Sequence, residues 1–160
     1  VGKKAKGSFG AVFAEISFDP ITLEIAVERL VGAFDCGRII DPRIAHGQIV
    51  GGMIWGLGQA LMEETRIDPI RGAWDNAEIG EALVPTAADI PPIEAIFVPS
   101  GEADTSSPAS CKSVSELGIY GTPAAIANAV FDATGHRLTS LPLKIEHRVT
   151  QDAGSLEGRS

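Results

Sequence analysis

Little in this 160-residue chain fits a self-contained catalytic or metal centre. It has two cysteines, Cys36 and Cys111, far apart in the sequence. They form no disulfide framework and fit a reducing compartment. His46, His136 and His147 lack the short paired spacing of zinc ligands, so no metal held by protein side chains alone is expected. Basic residues are outnumbered 13 to 21, and the net charge of −8 argues against nucleic acid or an anionic membrane as the main partner. The longest uncharged stretch, IAHGQIVGGMIWGLGQALM, is broken by His46, two Gln and five Gly, which suits a buried helix better than a membrane span. No strand–G-x-S-x-G–helix pattern is present. GGMIWGLG lacks the Lys-Ser/Thr of a P-loop and a strand that would fit a dinucleotide fold. The start, VGKKAKGSFG, carries no apolar core of a signal peptide and no initiator Met, as expected for a piece of something longer. No internal repeat is visible.

The remaining composition is that of a globular domain. With 44% hydrophobic and 21% charged residues, the chain is long enough for one domain with a real core. Eighteen glycines and ten prolines call for many turns or close backbone approaches. SFGAVFAEISF (8–18) and EIAVERLVGAFD (24–35) read as two strands around the Asp-Pro turn signal of DPITLE, hence a hairpin. CGRIIDPR reads as a loop. From about His46 to Glu64 the spacing predicts a helix, with Ile49, Met53, Leu57 and Leu61 on one stripe. Its internal glycines cost ~1 kcal/mol each against Ala, so either another backbone or a bulky ligand must pack closely on it.

Residues 65–108 read as a connecting stretch containing one strand, IEAIFV (93–98), and a Pro-rich segment extended over a neighbouring surface. Thr122 as N-cap and Pro123 at the first helical position predict a second helix through AAIANAVFDAT, stopped at Gly135. RLTSLPLKIEHRV (137–149) predicts a last strand, and residues 151–160 a frayed polar tail after a domain over 1–150. The fold class is therefore α+β: an N-terminal β-hairpin, a Gly-rich buried helix, an extended Pro-rich wrap with a strand, and a C-terminal helix–strand unit.

One acidic residue stands out. Glu116 lies in CKSVSELGIYG among Val114, Leu117, Ile119 and Tyr120, where a freely solvated charge is not expected. It could serve as a carboxylate near a helix N-terminus, as the ion-pair partner of Lys112, or as a general base. Residue physics alone leaves these three open.

Four stretches taken together narrow the choice. FGAVFAEISFDP, GAFDCGRIIDPRIAHGQIVGGMIWGLGQALMEE, LVPTAADIPPIEAIFV and CKSVSELGIYGTPAAIANAVFDATGHRLTSLPL follow one another over about residues 7 to 145. In this order they resemble the C-terminal portion of the molybdenum-cofactor-binding large subunit of the xanthine dehydrogenase and aldehyde oxidase family. The resemblance implies a molybdenum–pterin cofactor and hydroxylation of aldehydes or N-heterocycles with oxygen from water. The family's base ends a Lys-Gly/Ala-Val-Gly-Glu motif, which stands here as Lys112-Ser113-Val114-Ser115-Glu116. By the resemblance Glu116 is the catalytic base, and Lys112, Ser113, Val114 and Ser115 face the cofactor. Gln48 matches a glutamine of a GQ-x-x-G-G motif that hydrogen-bonds the pterin.

The resemblance also implies partners. These are the remaining upstream portion of the molybdenum subunit, iron–sulfur and FAD domains or subunits that carry electrons away, and a small aldehyde or heterocycle substrate. The compartment is cytoplasmic, with a periplasmic location open for an exported complex. Ser115 and Ser113 replace residues that are usually Gly, or Gly or Ala, in the family. The chain is also several times shorter than the family's subunit, so activity is expected only with the missing part. The alternative is a non-catalytic structural or interaction remnant that keeps the fold without the chemistry.

Overall fold

A computed structural model describes residues 7–99 and 109–145. The hairpin forms as expected. Strands β1 (Phe9–Phe18) and β2 (Ile25–Asp35) pair antiparallel, from Phe9 opposite Asp35 to Phe18 opposite Ile25, with a bulge between Glu15 and Ile16. The turn between them is held by Asp19, whose carboxylate accepts the N–H groups of Ile21 at 2.7 Å and Thr22 at 3.2 Å. Those two bonds keep the Asp19 carboxyl below its ordinary range.

Helix α1 (Pro42–Leu61) starts ahead of the expected boundary and ends before Glu64. The DPR sequence is the cause. Asp41 caps the helix by accepting from Arg43 N–H at 2.9 Å and Ile44 N–H at 3.2 Å, and Pro42 stands at the first position, where its missing N–H costs nothing. Ile49, Met53 and Leu57 are fully buried as predicted, whereas Leu61 is only half-buried and Ala60 takes its place in the core. Burying each large side chain contributes about 1.5–3 kcal/mol, which offsets the helix's internal glycines.

After α1 the chain makes a small antiparallel pair that the sequence did not suggest, β3 (Ile67–Asp68) with β4 (Ala73–Trp74). The Pro-rich segment then wraps over the end of α1: a Cβ on Gly58 would sit 2.7 Å from Pro85 Cδ. Leu30 N–H donates to the Pro92 carbonyl at 3.1 Å, which leads the chain into β5 (Ile93–Phe97). β5 pairs parallel with β2, so the sheet order is β1-β2-β5.

The second helix corrects the sequence reading. α2 runs Leu117–Thr134, so Thr122 is not its cap and Pro123 lies inside it. An internal Pro removes one helical hydrogen bond and costs roughly 3 kcal/mol in isolation, which makes a start at Thr122–Pro123 the better local choice. Tertiary packing overrides that preference. The first turns of α2 lie directly on α1: a Cβ at Gly118 would come within 2.4 Å of the Ile49 carbonyl oxygen, and one at Gly52 within 3.2 Å of Gly118 Cα. Buried Thr122 bonds its hydroxyl to the Gly118 carbonyl at 2.8 Å. Gly135, with φ of 73°, ends the helix as predicted.

The strand expected over 137–149 is not formed across 137–145; 146–149 and the tail at 151–160 fall outside the described residues. Pro142 offers no N–H to a ladder, and Leu143 N–H instead bonds the Ala60 carbonyl at 2.7 Å. Leu138, Leu143 and Ile145 are buried there and close one side of the core. The core itself joins Leu30 and Phe34 of the sheet, Ile49, Met53 and Leu57 of α1, and Ile126 and Val130 of α2.

Candidate active site

The segment linking residue 109 to α2 is fixed first by backbone pairing. Cys111 bridges Gly37, Lys112 N–H donates to the Cys36 carbonyl at 3.0 Å, and Arg38 N–H donates to the Ser110 carbonyl at 2.9 Å. The end of β2 thus serves as a rail. Gly37 has φ of 67°, and a Cβ there would meet the Ser110 carbonyl oxygen at 2.8 Å, so this approach requires glycine.

A buried ion pair locks the same rail. Lys112 Nζ lies 3.2 Å from Asp35 Oδ1, with side chains only 16% and 9% exposed, and 5.6 Å from the centre of the Phe9 ring. Asp35 also accepts Gly37 N–H at 2.8 Å. The Lys112 ammonium therefore pairs with Asp35 rather than with Glu116. Burial, and then the Asp35 charge, push the neighbouring Cys36 thiol up from its ordinary range, with Lys112 acting in the opposite sense. Neither Cys36 nor Cys111 forms a disulfide.

Beyond Lys112 the chain forms one wall of a cavity of about 480 Å³, lined by residues 111–117 together with Gly7, Ser8 and Tyr120. Ser8 donates its hydroxyl to the Ser113 carbonyl. The N–H groups of Ser113, Val114 and Ser115 have no hydrogen-bond partner among the described residues. A second cavity of about 400 Å³ is lined by Gln48, Ile44 and residues 38–41, with Cys111, Lys112 and Val114 shared between the two.

All the candidate residues from the sequence meet here. Gln48, exposed on α1, donates from Nε2 to the Ser115 carbonyl at 3.0 Å, joining positions far apart in the chain. Glu116 occupies the N-cap position of α2, yet its side chain makes no cap hydrogen bond. Nor is it buried: it is exposed, against the expectation drawn from its apolar neighbours, because Gly118 turns into the α1 contact and takes the chain's burial with it. Its partner is Tyr120, whose hydroxyl donates to Glu116 Oε2. That carboxylate raises the Tyr120 phenol above its ordinary range, first by the hydrogen bond and then by its charge. Ser115 does not have positive φ; among the described non-glycine residues only Leu23 and Ser110 do. The usual Gly at this place is thus not needed here for backbone reasons.

Sequence reasoning missed three participants: Asp35, Ser8 and Tyr120. Tyr120 could have been found, since a helix started at Leu117 places it one turn after Glu116. Asp35 and Ser8 leave no such signal, because their partners lie far along the chain.

The donor set fits a pterin cofactor. A side-chain amide and three N–H groups without partners among the described residues suit a polar, anionic heterocycle, and the Gln48–Ser115 bond joins the amide to the segment that carries them.

Comparison with known proteins agrees. The chain is 39% identical over 141 residues to the aldehyde oxidoreductase molybdenum-binding subunit of Escherichia coli, covering 88% of this chain and 19% of that protein. It is 37% identical over 136 residues to a xanthine dehydrogenase molybdenum-binding subunit of the same species, covering 85% and 18%. The crystal structure of quinoline 2-oxidoreductase from Pseudomonas putida 86 superposes with a TM-score of 0.78 at 29% identity, covering 86% of this chain and 17% of that one. The chain thus spans less than a fifth of the length of these relatives. The profile of the molybdopterin cofactor-binding domain matches residues 2–91, and the chain belongs to that family.

Proposed function

We propose that this chain is the catalytic-base-bearing part of a molybdenum hydroxylase that oxidises aldehydes or N-heterocycles with oxygen from water. It would work only with the upstream portion of the molybdenum-binding subunit and with iron–sulfur and FAD partners. The observation that carries this reading is the Gln48–Ser115 hydrogen bond, which ties α1 to the Lys112–Glu116 segment that walls the 480 Å³ cavity.

Each residue has a distinct task. The Gln48 amide and the N–H groups of Ser113, Val114 and Ser115 would hold the pterin. Lys112 anchors their segment through Asp35 and keeps the strand end and the loop in register. The molybdenum–pterin, when bound, supplies the two-electron redox centre. Glu116 is the general base: its carboxylate accepts a proton as water-derived oxygen attacks the substrate carbon. In this chain Glu116 faces solvent, so the missing upstream portion must supply the cover that excludes water.

The test is co-expression with the upstream portion, followed by measurement of bound molybdenum and of aldehyde and purine oxidation. Stoichiometric molybdenum with turnover abolished in Glu116→Gln is the expected result. If the two parts fail to associate, or associate without holding molybdenum, the chain is a structural remnant and this reading falls.

A further inference from the structure

Glu116 has two carboxylate oxygens, and they are not equivalent. Tyr120 follows it by four residues at the start of α2, where side chains lean back toward the helix N-terminus. Its hydroxyl donates to Oε2, and its ring lines the same cavity as Lys112–Glu116. The ring also lines a neighbouring cavity of about 430 Å³ between α2 and the 138–143 segment. Glu116 makes no cap bond with the helix and no ion pair with Lys112, so among the described residues this phenol is the group that orients it.

From this geometry we infer that Tyr120 is the positioning residue for the base, holding Glu116 by Oε2 so that Oε1 is the oxygen that takes the proton. The inference rests on the assignment of Glu116 as the general base. The hydrogen bond occupies Oε2 and leaves the lone pairs of Oε1 open to accept a proton. It also removes one rotor's freedom before the reaction begins, which is how an orienting contact contributes to rate. The phenol keeps its own proton throughout. Its ionisation lies above the ordinary tyrosine range because of Glu116, so it stays a donor across physiological pH.

Tyr120 is the only tyrosine in the chain, so phenolate absorbance reads this group alone. The wild-type midpoint is expected above that of a free tyrosine. Glu116→Gln, which keeps an acceptor but removes the charge, lowers it in part, and Glu116→Ala lowers it further. In the assembled enzyme the same titration is taken as wild type minus Tyr120→Phe, so the result does not depend on the chain folding alone. There Tyr120→Phe keeps the ring but deletes the donor. It is expected to lower kcat roughly ten- to a hundredfold with little change in KM. A phenol midpoint unaffected by either Glu116 variant overturns the contact. If Glu116→Gln abolishes turnover while Tyr120→Phe leaves kcat unchanged, the positioning role is overturned and the base assignment stands. Full activity in Glu116→Gln removes the base assignment, and this inference with it.

Discussion

The α1–α2 seam and the outer face of the sheet are both built of small and apolar residues, but only the seam is closed. At the seam Gly52, Gly56 and Gly118 bring two helix backbones together, and an added Cβ would meet backbone or Thr122 at 2.4–3.2 Å. On the outer face Phe9 and Phe13 are each 65% exposed and Ile96 is 43% exposed, although the Lys112 ammonium reaches the edge strand at Phe9. The 65–91 stretch behaves like the sheet face, with Ile70 and Ile79 almost wholly exposed. The seam therefore holds this chain's own fold. The open face is an apolar surface of the kind that marks an interaction site, on a chain that spans less than a fifth of the length of these relatives.

Gly118→Ala should break the closed side most severely. The new methyl meets the Ile49 carbonyl, a backbone atom that cannot swing away. A loss of about 3 kcal/mol or more in urea unfolding is expected, at the upper end for overpacking. A neutral result would mean that the seam is looser than described.

Asp35→Ala comes next, at about 3 kcal/mol, because it removes the carboxylate that the buried Lys112 ammonium meets at 3.2 Å. The double variant Asp35→Leu with Lys112→Met should recover much of that loss, since no charge is then buried. If the double variant is as unstable as the single one, the pair is not what holds the rail.

The open side should respond weakly. Phe13→Ser, on the uncovered face, is expected to change the stability of the chain by no more than about 0.5 kcal/mol, against about 3 kcal/mol for Leu30→Ala on the covered face of the same sheet. Gly51→Ala belongs with the open side although it lies one residue from Gly52. Nothing lies within 4 Å of its added Cβ, so the usual preference for Ala in a helix should stabilise the chain by up to ~1 kcal/mol.

The same contrast separates what the sequence made legible from what it did not. Period-two and helical spacing located β1, β2, β5 and α1, because each turns one face to the core of this chain. The start of α2 was misplaced because Pro123 looks like a first-turn residue, and only contact with Gly52 and Ile49 carries the helix back to Leu117. Glu116 stands out by its apolar neighbours, whereas its role as a base and the choice of Gln48 rest on motif order alone. Burial reasoning about Glu116 failed because the apolar residues beside it pack away from the carboxylate. Asp35 and Ser8 were invisible, since their roles depend on which distant segment β2 and the N-terminal residues meet.

Ser115→Gly, between the closed and open regions, should have the smallest effect on turnover. Among the described residues the Ser115 side chain makes no hydrogen bond; only its carbonyl does, with Gln48, and glycine keeps that carbonyl. Its φ is not positive, so glycine relieves no strain, and the family's usual residue at this place offers no conformational gain here. What glycine does add is freedom in the unfolded chain, worth about 0.4–1 kcal/mol of stability lost. Cofactor content and turnover in the assembled enzyme should match the wild type or exceed it slightly, because a hydroxyl is removed from the cavity wall. A large fall in turnover with molybdenum retained would assign the Ser115 hydroxyl a direct contact at the reacting centre, and would make the Ser a working replacement for Gly rather than a tolerated one.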